Sequence, residues 1–284
     1  MTSPPSRGPP SSNAERESRD DPFLVAASLS GEADAAWARA VGGHVDAAIL
    51  GGIALDPASR AAARDLVARD RSEFLPADPV EFITEQLAAV ADVPIRPGFN
   101  VRSASVDPIR EAAAVCADHG AVCEINAHCR QPELCAVGCG ESLLRDVDRL
   151  ATFVAAAADR TGATVSVKVR TEVPGVDLSA VAETVAAAGA DWLHVDAMDS
   201  EPVVAALATD IATNDLGLTL VANNGVRGRE TVAEYAAHGA DAVSVGRPTR
   251  PDDHRVLRRV ADAVAAWRDG ELNPSANAGT EELA

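Results

Sequence analysis

Short apolar runs alternate along this chain with longer alanine-rich segments whose apolar positions recur every three or four residues. The first pattern is that of buried strands and the second that of amphipathic helices. The runs are Phe23 to Ala27, Asp46 to Leu50, Val93 to Asn100, Ala121 to Asn126, Thr164 to Arg170, Asp191 to Asp196, Leu218 to Asn223 and Asp241 to Gly246. The helical segments start at about Ala33 and continue with Pro57 to Ala68, Pro79 to Val90, Pro108 to His119, Leu143 to Thr161, Leu178 to Ala188, Pro202 to Thr213, Arg229 to Ala237 and Asp252 to Trp267. Eight strands, each followed by helix, predict an α/β fold of the (β/α)8 TIM-barrel kind, for which about 250 residues is usual. The βα period alone also suits a doubly wound open sheet. The barrel is expected to fill residues 23–269 as one domain. The Pro/Ser/charged arm before it, 1–22, and the short tail after it, 270–284, are too poor in apolar residues to fold.

A barrel keeps its chemistry at the carboxyl ends of its strands. Those ends carry Ser28, Gly51-Gly52, Asn100, Asn126 to Cys129, Lys168 to Arg170, His194 to Asp196, Asn223 to Gly225 and Gly246-Arg247. The loops after strands seven and eight commonly bind a phosphate through backbone N–H groups, and Arg247 adds a fork of donors there. Lys168 reads either as a ligand-directed cation or as a snorkelling strand-end lysine. His194 reads either as a ligand contact or as a hydrogen-bonded core histidine.

Charge sharpens the reading of the lysine. The chain has 43 acidic against 25 basic residues, a formal net charge of -18, and Lys168 is its single lysine. A hydrated carboxylate surface in a high-salt cytoplasm, together with GC-rich coding, accounts for that balance and strips exposed lysines. A lysine kept inside an apolar strand therefore stands out. An acidic chain also lacks the basic footprint that phosphate contacts call for. Residues 1–22 have no apolar core of the kind a secretory signal needs, and no apolar run reaches the roughly 20 residues of a membrane span. The five cysteines are an odd number, three of them in one loop, which points to reduced thiols and a cytoplasmic protein. Cys116 and Cys123 fall in helix and strand patterns and read as core. Cys135 and Cys139 suit a tight turn or a buried small residue. The spacing Cys129-x5-Cys135-x3-Cys139 matches no common zinc or cluster pattern, so no metal is expected.

Asn126-x-x-Cys129, followed after thirteen residues by Leu143-Leu144-Arg145-Asp146, resembles the N-x-G-C-P…G-x-G-x-x-L-L-R-D segment of the FMN-dependent tRNA-dihydrouridine synthases, with Gly138 and Gly140 near the family's glycines. Ser166 to Arg170 is similar to the family's V-K-x-R strand, and Leu193-His194 falls where its H-G-R strand lies. Ala222 to Gly225 resembles its A-N-G-D, and Gly239 to Arg247 its G-A-D-x-V-x-x-G-R. The resemblance implies FMN in the barrel mouth, contacted by Ser28, Asn100, Lys168 and His194, with Asn224, Gly225, Gly246 and Arg247 on its phosphate side. It further implies Asn126 and Arg170 at a pyrimidine, Cys129 as general acid, reduced nicotinamide (NADPH or NADH) as electron donor, and tRNA as substrate. The chain departs from the pattern at Arg130, where the family has proline, at Val195-Asp196 and at Val226. The family's helical RNA-binding domain has no counterpart after Gly270, which, with the acidic balance, sets a small free pyrimidine against tRNA as the substrate. A dihydropyrimidine- or dihydroorotate-type dehydrogenase would keep the same cofactor site. A Schiff-base aldolase would instead use Lys168 as its nucleophile.

Overall fold

Aspartate followed by a helix-forming run starts five of the helices, because a short carboxylate accepts the N–H groups that a first helical turn leaves free. Asp34, Asp56, Asp78, Asp146 and Asp177 cap Ala35–Val41, Pro57–Val67, Pro79–Ala88, Val147–Ala158 and Leu178–Ala187. A proline at the first position reinforces two of these starts. The computed structural model describes residues 21–159, 162–250 and 254–272. Apart from Asp21, Pro22 and 270–272, the arm and the tail lie outside the described residues, as does the expected helix start at Asp252.

Eight parallel strands close into a barrel in chain order: β1 Phe23–Ala26, β2 Ala47–Ala54, β3 Arg96–Arg102, β4 Val122–Asn126, β5 Thr164–Arg170, β6 Trp192–Asp196, β7 Thr219–Asn223 and β8 Ala242–Val245. β8 pairs with β1 from Phe23 opposite Ala242 to Ala26 opposite Val245, which rules out the open-sheet alternative. Two strand ends differ from expectation. β2 runs on to Ala54 instead of ending at Leu50, because Gly51 and Gly52, both at positive φ, stay in the sheet as a bulge where the register to β3 shifts. A side chain at Gly51 would strike the Phe99 ring. β3 begins at Arg96 and ends at Arg102, so Asn100 lies within the strand and not at its end. The loop after β4 also folds further than its sequence suggests, into the short helix Pro132–Ala136 and a 3-10 turn Gly140–Arg145 ahead of Val147–Ala158.

Alternate residues of each strand face opposite sides of the barrel wall. The outward set, including Leu24, Leu50, Phe99, Ile125, Val167 and Leu193, joins the helices in one continuous apolar core. The inward set near the strand starts is a separate apolar plug of Val25, Ala47, Ile49, Val122, Trp192, Val221 and Ala242. Above that plug the inward positions turn polar.

Candidate active site

Two inward polar layers follow the plug. The lower one contains Asn100, Glu124, Ser166, His194 and Ser244, all buried. Glu124 is completely buried and accepts hydrogen bonds from Asn100 Nδ2 at 2.7 Å and Ser166 Oγ at 3.2 Å, and it meets His194 Nδ1 at 2.7 Å. His194 Nε2 lies 2.7 Å from Ser244 Oγ, which accepts from Asn223 Nδ2 at 2.6 Å. Burial works to raise the Glu124 carboxyl, but the hydrogen bond from His194, the charge of Lys168 and the Asn100 amide hold it at about 2. Burial and the Lys168 charge push the His194 imidazole below its ordinary value, against the pull of Glu124. A neutral ring with its proton on Nδ1, between a carboxylate and a serine hydroxyl, satisfies both sets of contacts.

The upper layer brings together Asn126, Lys168, Arg170, Asp196 and Asn223 at the ends of β4 to β7. Two adjoining cavities open there, of about 220 and 770 Å3, and share Ser28, Leu29, His128, Asp196, Asn224 and Arg247 as lining. Lys168 and Gly246 line the smaller one, and Cys129 and Arg170 the larger. Lys168 is 4% exposed and has no side-chain hydrogen bond among the described residues. Arg170 pairs with Glu141 at 2.9 Å and leaves Nε buried without a partner.

Cys129 follows β4 directly. Its N–H donates to Asn126 Oδ1 at 3.0 Å, and its carbonyl accepts from Glu141 N at 2.8 Å. Gly140, at φ +63°, packs against that same carbonyl so closely that a Cβ would collide with it, so the returning loop clamps the cysteine backbone. Cys139 is buried and pushed up to about 12 by burial and the Asp56 charge, which keeps it a thiol. Burial also raises Cys135, whose Sγ lies 3.5 Å from the Cys129 carbonyl oxygen. Cys116 and Cys123 are packed in the core.

Of the residues singled out in the sequence, Ser28, Cys129, Lys168, Arg170, Asn224, Gly246 and Arg247 line this cavity system. Asn100, Asn126, His194 and Gly225 do not: the first and third sit one layer below, and Asn126 spends its amide on Asn100 and the Cys129 loop. Glu124, Ser166 and Ser244 were missed. Their signal was a polar residue at every second position of β5 and at alternate positions late in β4, with Ser244 alone in β8, inside runs that read as uniformly buried strand. Among the described residues no cluster of metal-ligating side chains is formed.

A closed parallel barrel with a polar, ligand-sized mouth at its carboxyl end belongs to the class of α/β-barrel proteins that work at that mouth. Residues 99–252, more than half the chain and reaching from β3 past β8, match the family model of dihydrouridine synthase (Dus), and the chain belongs to that family. An uncharacterized protein of Methanocaldococcus jannaschii is 31% identical over 137 residues, which cover 47% of this chain and 53% of that one, so the match spans about half the length of the curated relative. Among solved structures, a variant of FabK from Thermotoga maritima aligns with a TM-score of 0.51 at 14% identity, over 81% of this chain and 62% of its own. A mandelate oxidase variant aligns with a TM-score of 0.54 at 16% identity, over 87% and 73%. Thiamine phosphate pyrophosphorylase from Pyrococcus furiosus aligns with a TM-score of 0.51 at 12% identity, over 87% and 97%. At such identities these likenesses speak for the fold alone.

Proposed function

We propose that this protein is an FMN-dependent oxidoreductase that reduces the C5=C6 bond of a uracil ring, in the manner of a dihydrouridine synthase. The observation that carries the reading is that the chain's single lysine and the loop thiol of Cys129 line two adjoining cavities at the barrel mouth. The residues present fit a flavin. The loops after β7 and β8 supply Asn224, Val226, Gly246 and Arg247 around the smaller cavity, where a phosphate would meet a guanidinium and close backbone. Lys168, buried and with no side-chain hydrogen bond among the described residues, would meet the polar edge of the ring system and favour negative charge there. FMN supplies the hydride for C6 of the uracil when bound.

The other half of the reaction falls to the chain. Cys129 donates a proton to C5 from the opposite face, the role of a positioned general acid. Arg170 orients the pyrimidine and gains an acceptor for its unpartnered Nε. The ring is presented within tRNA in this reading. Arg71, Arg130 and Arg247 line the outer cavity and offer phosphate donors that the acidic composition conceals, beside Arg170 and Arg250, which pair with Glu141 and Glu32. The electron donor is reduced nicotinamide.

Reconstitution with excess FMN, followed by assay with NADPH or NADH on unmodified tRNA and on free uracil and uridine, tests the proposal. Stoichiometric flavin and dihydrouridine formed in tRNA support it. Reduction of the free base alone moves the enzyme to a free-pyrimidine substrate. A protein that takes up no flavin ends the reading, and borohydride trapping of a carbonyl ligand on Lys168 would replace it with the aldolase.

A further inference from the structure

Glu124 stands at the middle of the barrel with every neighbour turned towards it. A carboxylate has no hydrogen to give, so each group around it must present a donor. On one side Asn100 gives its Nδ2–H to Oε1 at 2.7 Å, which leaves Asn100 Oδ1 to accept from Asn126 Nδ2 at 2.9 Å. Asn126 Oδ1 is then the atom that accepts the backbone N–H groups of Cys129 at 3.0 Å and His128 at 3.3 Å. On the other side His194 gives Nδ1–H to Oε2 at 2.7 Å, so its Nε2 accepts the Ser244 hydroxyl at 2.7 Å, and Ser244 Oγ accepts from Asn223 Nδ2 at 2.6 Å. Reversing one amide or the imidazole tautomer would set acceptor against acceptor somewhere along the chain, inside a buried layer where such a mismatch is costly.

The two chains end at the two adjoining cavities. One reaches the backbone of the Cys129 loop, and the other reaches Asn223, which lines the smaller cavity beside Lys168. Ser166 also binds Glu124, at 3.2 Å, but lies on neither chain. We propose that Glu124 is the positioning residue of this site, fixing the Cys129 loop through Asn126 and the Asn223 amide through His194, and supplying the negative charge that opposes Lys168 at a bound cofactor. The last part rests on the flavin reading, whereas the two orienting chains do not.

Glu124→Gln keeps the size of the side chain and removes both the charge and the acceptor-only character. In protein labelled with 15N-histidine and free of cofactor, His194 should carry its proton on Nδ1 in the wild type and shift to Nε2, or to a mixture, in E124Q. In the FMN-loaded protein the preference for reduced over oxidised flavin should rise about tenfold in E124Q, which is about 30 mV for a two-electron couple. Glu124→Asp, which keeps the charge, and Ser166→Ala, which leaves both chains intact, should each change that preference less than about twofold. An unchanged tautomer together with an unchanged preference in folded E124Q overturns the proposal. So does an Nε2–H tautomer in the wild type, which needs no variant to fold. If the wild type binds no FMN the functional reading fails, and the tautomer measurement alone decides the role of Glu124.

Discussion

At the amino ends of the strands the barrel is filled by Val25, Ala47, Ile49, Val122, Trp192, Val221 and Ala242, whereas two residues further along several of the same strands the fill is Asn100, Glu124, Ser166, His194 and Ser244. The two ends also use their carboxylates differently. At the amino end Asp46, Asp191 and Asp241 accept the backbone N–H of Leu24, Val165 and Leu220 at 2.7–2.8 Å, each tying one strand to its neighbour. At the carboxyl end Glu124 accepts from side chains, and the main chain nearby is bent. Glu172, Met198 and Asn224, each just beyond β5, β6 or β7, lie at positive φ without being glycine. One end of the barrel thus holds the register of the sheet, and the other spends polar contacts and backbone strain on the direction in which groups point.

The comparison breaks hardest if a change at one end behaves like a change at the other. Cys129→Ala should lower the uracil-reducing step by about 10²–10⁴ while FMN binding, flavin reduction and thermal unfolding stay as in the wild type; slower reduction of the flavin itself would take proton donation away from the thiol. Trp192→Ala, in the plug, should cost about 3–5 kcal/mol in denaturant unfolding and leave the FMN affinity of the folded protein unchanged. An acid titration probes the polar end. Glu124 is held at about 2, below its ordinary 4.5, so it contributes stability above pH 4.5 that drains away as the pH falls towards 2. That limb should be worth about 3 kcal/mol in the wild type and be flattened in Glu124→Gln. Arg247→Ala should weaken FMN binding by about 1.5–3 kcal/mol, measured by fluorescence titration, with little change in stability. Smallest of all, Asp191→Ala should cost about 1 kcal/mol of stability and nothing in FMN affinity.

The strand count and the closed order were legible because parallel strands packed on both sides read as apolar runs, and β5 has the expected limits from Thr164 to Arg170. Boundaries failed where glycine or the local packing hid them. Gly51-Gly52 looked like the end of a strand and is a bulge within one. Val93 and Ile95 looked like strand and pack at the turn before it. At the site, Lys168, near the end of β5, and Cys129, in the loop after β4, could be picked out because they interrupt an apolar pattern next to a loop. Glu124 could not. It sits between Cys123 and Ile125, which face the helices, and only the closure of the sheet shows that its own side points to a shared interior. Asn100 and His194 stood out for the same reason as Lys168, but depth along the strand decides whether such a residue lines a cavity or supports one that does.

The placement of Lys168 has a practical consequence for the chemistry of handling this protein. Apart from the α-amino group of the chain, an amine-directed reagent has one side chain to find, and that side chain lines the smaller cavity at the barrel mouth. Acylating dyes, aldehydes and crosslinkers, which on most proteins scatter over many surface positions, would here compete with the ligand for a single atom. The extent of lysine labelling therefore becomes a direct count of how many molecules hold something at the barrel mouth.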